Sequence, residues 1–413
     1  MKKFDNIIIG FGKGGKTLAG ALAGAGQSVA LVEQSRQMYG GTCINVACIP
    51  SKSLEHSARQ SASIGGAWED KAMRYQKAIG EKRRLTAALR QKNYDKTAGT
   101  GAQILTGHAS FLDDHQVQVA LEDGSREVLY GDRIFINTGA RPFIPPIPGL
   151  MESGFAYTSE TMMELERLPK QLLIIGGGYI GLEFASYYAN FGSQVTVVQD
   201  GEAFIPREDA EIADAVLKSL EDRSVNVIRG AQVKSVEEKD GMALAAVGTK
   251  DGEISVQADA ILVATGRRPN LEGLHPEAAG IALTARGAVE VDAHLRTSVP
   301  HIWAMGDVAG GLQFTYISLD DSRIVKSQLL GDGSRTTENR GAVPYSVFLD
   351  PPLSRVGLTE AEAAAQGYDV GVARLAAAAV PKAQVLRQPA GMLKAVIDKK
   401  TGHILGAHFF CLE

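Results

Sequence analysis

Two segments of the chain repeat one pattern at one spacing, and that duplication constrains the fold more than any other feature. Residues 6–33 (NIIIGFGKGGKTLAGALAGAGQSVALVE) run from an apolar strand through Gly10, Gly12 and Gly15 into a small-residue helix and a second strand ending at Glu33. Residues 172–199 (LLIIGGGYIGLEFASYYANFGSQVTVVQ) repeat this with Gly176, Gly178 and Gly181 and end at Gln199. A second matched pair follows each: DRIFINTGARPF at 132–143 and DAILVATGRRPN at 259–270, each behind an Asp-Gly hairpin turn, Asp123-Gly124 and Asp251-Gly252. Two correlated matches in the same order predict an α/β chain with two Rossmann-like dinucleotide-binding domains.

The chemistry expected of each loop follows from its glycines. A strand-loop-helix turn without side chains lets the backbone approach a pyrophosphate, which sits on the helix N-terminal amides and the positive end of the helix dipole. Glu33, at the end of the second strand of the first copy, is placed to accept from a ribose hydroxyl. The second copy has neutral Gln199 there, followed by Asp200, with no arginine before Arg207. A 2'-phosphate near Asp200 would meet repulsion of a few kcal/mol before screening. NADH is therefore preferred over NADPH in the second loop.

The copies differ in what lies between their paired motifs. The first is longer, and its excess holds GGTCINVACIPSK at 40–52 and a charged, helical stretch from Ser51 to about Thr97. Two of the three cysteines, Cys43 and Cys48, lie in that insertion. A thiol becomes a nucleophile as thiolate, and a helix N-terminus or a neighbouring cation lowers its pKa. The dipole contributes only about 0.3–1 kcal/mol, less than one pKa unit, so a second positive influence is needed. Lys52, one turn beyond Cys48, is the candidate from spacing. Competing readings are two buried structural thiols, a zinc site for which only His56 is near, and a structural disulfide. The favoured reading is a reversible dithiol/disulfide exchanging electrons with a bound cofactor.

Composition closes off other classes. A net charge of -4, pI near 6.1 and 22% charged residues offer no basic surface to nucleic acid or an anionic membrane. No apolar run reaches the roughly 18 residues of a membrane helix, and the glycine-interrupted start is a strand rather than a signal peptide. The expectation is a cytoplasmic protein with no nucleic-acid or membrane partner and no resident metal.

With these motifs in place the chain resembles the flavin-dependent pyridine nucleotide-disulfide oxidoreductases, the family of glutathione reductase, dihydrolipoamide dehydrogenase and mercuric reductase. The resemblance covers residues 4–411 through the first glycine loop with Glu33, GGTCINVACIPSK, GGGYIGLE, ATGRRPN, AMGDVAGG at 304–311 and PYSVFLDPPLSRVGLTEAEA at 344–363. It implies FAD on the first copy, with Gly10, Gly12, Gly15, Glu33, Gly41, Thr42, Thr138, Gly139, Gly306 and Asp307 among the residues that hold it. It implies NADH or NADPH on the second, with Gly176, Gly178, Tyr179, Ile180, Gly181, Gln199, Gly266 and Arg267. By the same resemblance Cys48 is the thiol against the flavin, Cys43 the interchange thiol that meets the substrate, and Lys52 lies near the flavin paired with Glu183. Electrons would pass from NAD(P)H to the flavin, to the Cys43–Cys48 disulfide, and to a small disulfide or a metal ion such as Cu(II). The rivals are an NAD(P)H oxidase or transhydrogenase with idle thiols, and a redox-sensing flavoprotein.

The implied organisation is an FAD domain at 1–148 and 271–335, an NAD(P)H domain at 149–270, and an α+β interface domain from 336 that supports a homodimer. The family pattern continues into a His-Pro segment that this sequence does not contain before Glu413, so the third domain is expected to be truncated and the dimer weakened. His275-Pro276 lies mid-chain and is not that motif, His403 and His408 read as structural, and Cys411 reads as a buried strand residue.

Overall fold

Residues 1–412 are described by a computed structural model. Contacts divide it into two compact units, one of residues 1–50, 83–141 and 267–341, the other of 51–82, 142–266 and 342–413.

In the first unit the apolar run Ile7–Ile9 ends strand β1 (Lys2–Ile9), and Ile7 and Ile8 are wholly buried. Helix α1 (Lys13–Gly24) and strand β2 (Val29–Glu33, buried throughout) complete the first βαβ unit. The insertion then forms α2 (Thr42–Asn45), α3 (Cys48–Ile64) and α4 (Trp68–Ala98). Strands β3 (Gln103–Phe111), β4 (Gln116–Leu121) and β5 (Arg126–Ile136) follow. β1 lies parallel between β2 and β5, pairing Ile8 with Leu31 and Phe135, and β5 also carries the strand Ile302–Ala304. The far halves of β3 and β5 turn outward and pair antiparallel with β4. Asp123-Gly124 makes the β4–β5 turn, with Gly124 at φ 84°. Apolar side chains bury both faces of the parallel layer, as a sheet covered on two sides requires.

The second unit holds a five-stranded parallel sheet in the order Asn226–Ile228, Gln194–Val198, Gln171–Ile175, Ala260–Val263, Ala156–Thr158. Its glycine loop leads into the helix Tyr179–Phe191, which buries Phe184, Tyr187, Tyr188 and Phe191. An antiparallel meander of Gln232–Lys239, Met242–Thr249 and Gly252–Ala258 carries the Asp251-Gly252 turn. Residues from 342 on build an antiparallel five-stranded sheet in the order Tyr345–Val347, Leu353–Gly357, Ile404–Phe410, Met392–Asp398, Val370–Ala376. His408 is buried in it, with Nε2 3.0 Å from Leu358 O. Cys411 differs from expectation: it follows the last strand in a bend and is half-buried, because the ladder ends at Phe410. No helix among the described residues is long and apolar enough to cross a membrane.

Candidate functional site

In the first unit the glycine loop sits at the C-terminal ends of the parallel strands, where an open α/β sheet presents its crevice. Gly10 has φ 108°, and a side chain there would strike Asn137 O at 2.3 Å. A Cβ on Gly15 would meet Gly10 O at 2.3 Å, so α1 can pack this closely only with glycine at that position. Asn137 ties the neighbourhood together. Its Oδ1 accepts from Gly15 N at 2.8 Å, and its Nδ2 donates to Met305 O at 2.6 Å and to Ser318 Oγ at 3.2 Å.

The thiol segment packs on this loop. Gly41, at φ 82°, approaches so closely that a Cβ on it would lie 2.6 Å from Gly12 Cα. Thr42 Oγ1 lies 3.8 Å from where a Cβ on Gly139 would be. Cys43 is the second residue of α2, and Cys48 opens the seventeen-residue α3. The longer helix dipole therefore starts at Cys48. Cys48 Sγ is 3.6 Å from Thr315 Oγ1, at the start of the helix Thr315–Leu330. Both thiols are partly accessible, and neither they nor Cys411 is in a disulfide.

A cation that sequence reasoning passed over lies within electrostatic range of Cys43. Lys16, on the first turn of α1, donates from Nζ to Gly40 O at 3.0 Å and to Asn93 Oδ1 at 2.6 Å. Burial, helped by the like charges of Lys13 and Lys96 and opposed by the negative charge Cys43 can carry, lowers its pKa to about 8. Spacing alone had indicated Lys52, since Lys16 is remote from Cys43 in sequence and adjacent only once the glycine loop is folded.

The residues expected to hold a flavin dinucleotide fit one. Glu33 is 8% exposed and its Oε2 accepts from Phe11 N at 2.9 Å. Burial raises its pKa to about 7 against the pull of the Phe11, Ser35 and Gln34 N–H groups. Thr138 Oγ1 is buried without a hydrogen-bond partner among the described residues, beside Gly139 at φ 74°. Asp307 follows Gly306, whose N–H donates to Asp321 Oδ2 at 2.7 Å. Burial raises the Asp307 pKa, Arg267 pulls it down and Asp321 pushes it up. Arg267 itself donates to Ala140 O.

The second unit builds its loop on the same backbone. Gly176 has φ 111°, and a Cβ on Gly181 would meet Gly176 O at 2.1 Å, whereas Gly178 faces open space. Gln199 folds back, donating to Gly201 O at 2.7 Å and Ala203 O at 3.1 Å. Tyr179 donates to Glu208 Oε1, which also accepts from Tyr345 OH at 2.6 Å, and Ile180 is partly buried against the core. Gly266 takes φ 114° and its O accepts from Phe143 N at 3.0 Å. Glu183 Oε1 accepts from Phe348 N at 3.0 Å, and Lys52 Nζ lies 4.5 Å from the centre of the Phe348 ring. Burial raises the Glu183 pKa to about 7, with the Phe348 N–H and Lys52 acting to lower it. Lys52 and Glu183 thus meet around Phe348.

Comparison with known proteins gives the family. The family described as pyridine nucleotide-disulphide oxidoreductase matches residues 4–322, and its dimerisation domain matches 343–413. The chain is 47% identical to the probable pyridine nucleotide-disulfide oxidoreductase RclA of Escherichia coli (strain K12), over 100% of this chain and 90% of that protein. It is 36% identical to a mercuric reductase of Streptomyces lividans, over 98% and 86% of the two chains. It superposes on the Cu(II) complex of the HOCl-induced flavoprotein disulfide reductase RclA from Escherichia coli with a TM-score of 0.93 at 46% identity, over 100% and 90% of the chains. An FAD-dependent fold with two glycine loops, a dithiol segment packed on the first of them and a dimerisation domain places this chain in the pyridine nucleotide-disulphide oxidoreductase family.

Proposed function

We propose that this protein takes electrons from NADH, passes them through FAD to the Cys43–Cys48 pair, and reduces a small disulfide or Cu(II). The observation that carries the reading is the seating of Gly41 on Gly12, because it fixes the dithiol segment against the loop that would hold a dinucleotide. Gly10, Gly12, Gly15, Gly41, Thr42, Thr138, Gly139, Gly306, Asp307 and Glu33 would hold FAD, within a domain of residues 1–148 and 271–335. The chemistry FAD supplies when bound is hydride acceptance from a reduced nicotinamide and two-electron delivery to a disulfide.

The side chains do the remaining work. As thiolate, Cys43 attacks one sulfur of the acceptor disulfide and expels the other as a thiol. Cys48 then attacks the mixed disulfide, which frees the second thiol and restores the Cys43–Cys48 bond. Two electrons leave the protein thiols and two enter the acceptor. With Cu(II), two ions each take one electron. Lys16 would favour the thiolate of Cys43, and Lys52 and Glu183, which meet around Phe348, would lie near the flavin as the family resemblance implies.

Gly176, Gly178, Tyr179, Ile180, Gly181, Gln199, Gly266 and Arg267 would hold the nicotinamide dinucleotide on the domain 149–270. Asp200, beside Gln199, supports NADH over NADPH. The Cu(II) acceptor is supported by the described copper complex of the Escherichia coli relative. Residues 336–413 would form the homodimer interface, and a reducing, cytoplasmic setting would suit a dithiol that must be returned to the thiol state in each cycle.

Anaerobic titration of the FAD-loaded protein with NADH tests the reading. A long-wavelength thiolate-flavin charge-transfer band is expected, absent from Cys48→Ser and retained in Cys43→Ser. Steady-state disulfide reduction should fall at least ~1000-fold in either variant while flavin bleaching by NADH persists. A band that survives Cys48→Ser, or undiminished turnover in both variants, would overturn it.

A further inference from the structure

The helix that carries Cys43 is too short to hold itself. α2 is a single turn of four residues, and nucleating one turn fixes several dihedrals for each hydrogen bond gained, so its surroundings must supply the rest. The chain leading into it is looser still: Gly40 and Gly41 are consecutive glycines at φ 95° and 82°, and glycine loses the most freedom on ordering. All three carbonyls of that approach are nevertheless captured by side chains. Asn45 Nδ2 donates to Tyr39 O and to Gly41 O, each at 3.0 Å, and Lys16 Nζ donates to Gly40 O at 3.0 Å.

Asn45 is itself braced. It is 8% exposed, and its Oδ1 accepts from Arg90 Nε, on α4, at 2.9 Å. Arg90 also donates to the side chain of Gln37, in the short turn Arg36–Met38 that precedes the approach. A guanidinium only donates and a backbone carbonyl only accepts, so these partners fix which way the amide points. A positive charge on the amide oxygen also polarises the amide and strengthens what Nδ2 donates. No isosteric side chain can replace it: aspartate at this place would turn an acceptor toward two carbonyl oxygens, and leucine would offer them nothing.

Where this grip acts ties it to the thiols. Cys43 stands midway between Gly41 and Asn45, inside the span that Asn45 closes. A Cys43–Cys48 bond tethers α2 to the start of α3 only while it is closed, so an opened pair depends on other contacts to keep its sulfurs together. We propose that Asn45, gripped by Arg90, is a positioning residue for Cys43: it keeps the single-turn helix seated on the glycine loop while the Cys43–Cys48 bond is open, so that Cys48 meets the mixed disulfide at high effective concentration. Neither residue makes or breaks a bond of the exchange. The role rests on the dithiol exchange proposed above.

Turnover of FAD-loaded protein with NADH and the small disulfide dithiobis(2-nitrobenzoate), counted per bound flavin, tests it. Asn45→Asp keeps the shape and the Arg90 contact but withdraws both donors, whereas Arg90→Met removes the grip and leaves the donors in place. In Asn45→Asp kcat should fall at least about tenfold, and in Arg90→Met about threefold, with KM for NADH unchanged. The Cys43–Cys48 equilibrium, trapped by alkylation in dithiothreitol buffers, should shift about tenfold toward the dithiol in Asn45→Asp, equivalent to about 30 mV. Arg90→Lys, which returns a donor to Asn45 Oδ1, should recover turnover. Gln91→Ala, at the next residue of α4, whose amide bonds Asp95, should leave it unchanged. Native turnover and an unmoved dithiol equilibrium in Asn45→Asp and Arg90→Met would overturn the positioning role, and if Asn45→Asp loses its flavin, native values in Arg90→Met alone would do so. A native protein that reduces the disulfide no faster than Cys43→Ser would instead overturn the exchange beneath it.

Discussion

In the first glycine loop Gly10 N donates to Val32 O at 2.8 Å, and in the second Gly176 N donates to Val198 O at 2.8 Å. Asn137 N binds Ile9 O at 2.7 Å where Ala264 N binds Ile175 O at 2.8 Å. The backbones match, but the surroundings do not. Asn137 sends its side chain into the first loop, and Ala264 has none to send. Glu33 caps Phe11 N, while its counterpart Gln199 bonds its own following turn. Lys16 on the first helix reaches Gly40, and the residue at the same place in the second helix, Leu182, is in the core. The first loop is braced on every side, which suits a resident cofactor. The second is open at Gly178, which suits a dinucleotide that comes and goes.

Matched substitutions should expose that difference. Gly12→Ala puts a methyl 2.5 Å from Asn137 Oδ1, and Asn137 is held by three hydrogen bonds and cannot yield. A cost of about 1–3 kcal/mol is expected, with flavin retention per mole of protein falling roughly tenfold or more. Gly178→Ala meets nothing within 4 Å, so stability should hold within about 0.5 kcal/mol and flavin absorbance should be unchanged. Equal flavin loss in both would end the contrast.

A smaller effect concerns Glu33. Its pKa rises from the ordinary 4.5 to about 7 in the folded chain, so the native state holds the proton more tightly than the unfolded one. Stability present below pH 4.5 should therefore be lost as pH rises to about 7, by on the order of 3 kcal/mol in the flavin-free protein. Denaturant unfolding at about pH 5 and pH 8 should show this slope added to that of Glu183 and Glu55, whose pKa values burial also raises to about 7, and Glu33→Gln should remove the Glu33 share alone, because Gln199 already performs the neutral version in the second loop.

Removal of the Lys16 charge should slow alkylation of Cys43 at neutral pH by roughly threefold to tenfold, as a thiol pKa raised by up to one unit requires. Lys16→Met should show this and Lys16→Arg should restore the rate. Unaltered alkylation in Lys16→Met would leave the helix end as the sole influence. The least effect is expected at exposed Asp200, where Asp200→Ser should raise kcat/KM for NADPH by about threefold with little change for NADH, and less so at high salt.

Much of this was legible in the chain itself, for a local reason. The apolar strands, the left-handed glycines Gly10 and Gly176, and the Asp-Gly turns are decided within a few residues by backbone sterics and strand alternation. The charged helical stretch proved to be two helices broken at Gly65 and Gly66, both at positive φ. The start of α3 at Cys48, ahead of the helical stretch expected from Ser51, was not legible because Val46 and Ala47 carry no strong cap signal.

By itself the sequence determined that two dinucleotide loops would form and that a thiol pair would lie between the motifs of the first. Tertiary structure alone decided which groups those loops would meet. Strand order brings Asn137 under Gly12 and His301 onto His115, and the packing of Gly41 on Gly12 brings Lys16 to the thiol segment. A chain's local conformation follows from adjacent residues. The partner of a buried charge follows from which strands pair, and that is set by burial of the whole apolar surface rather than by any one segment.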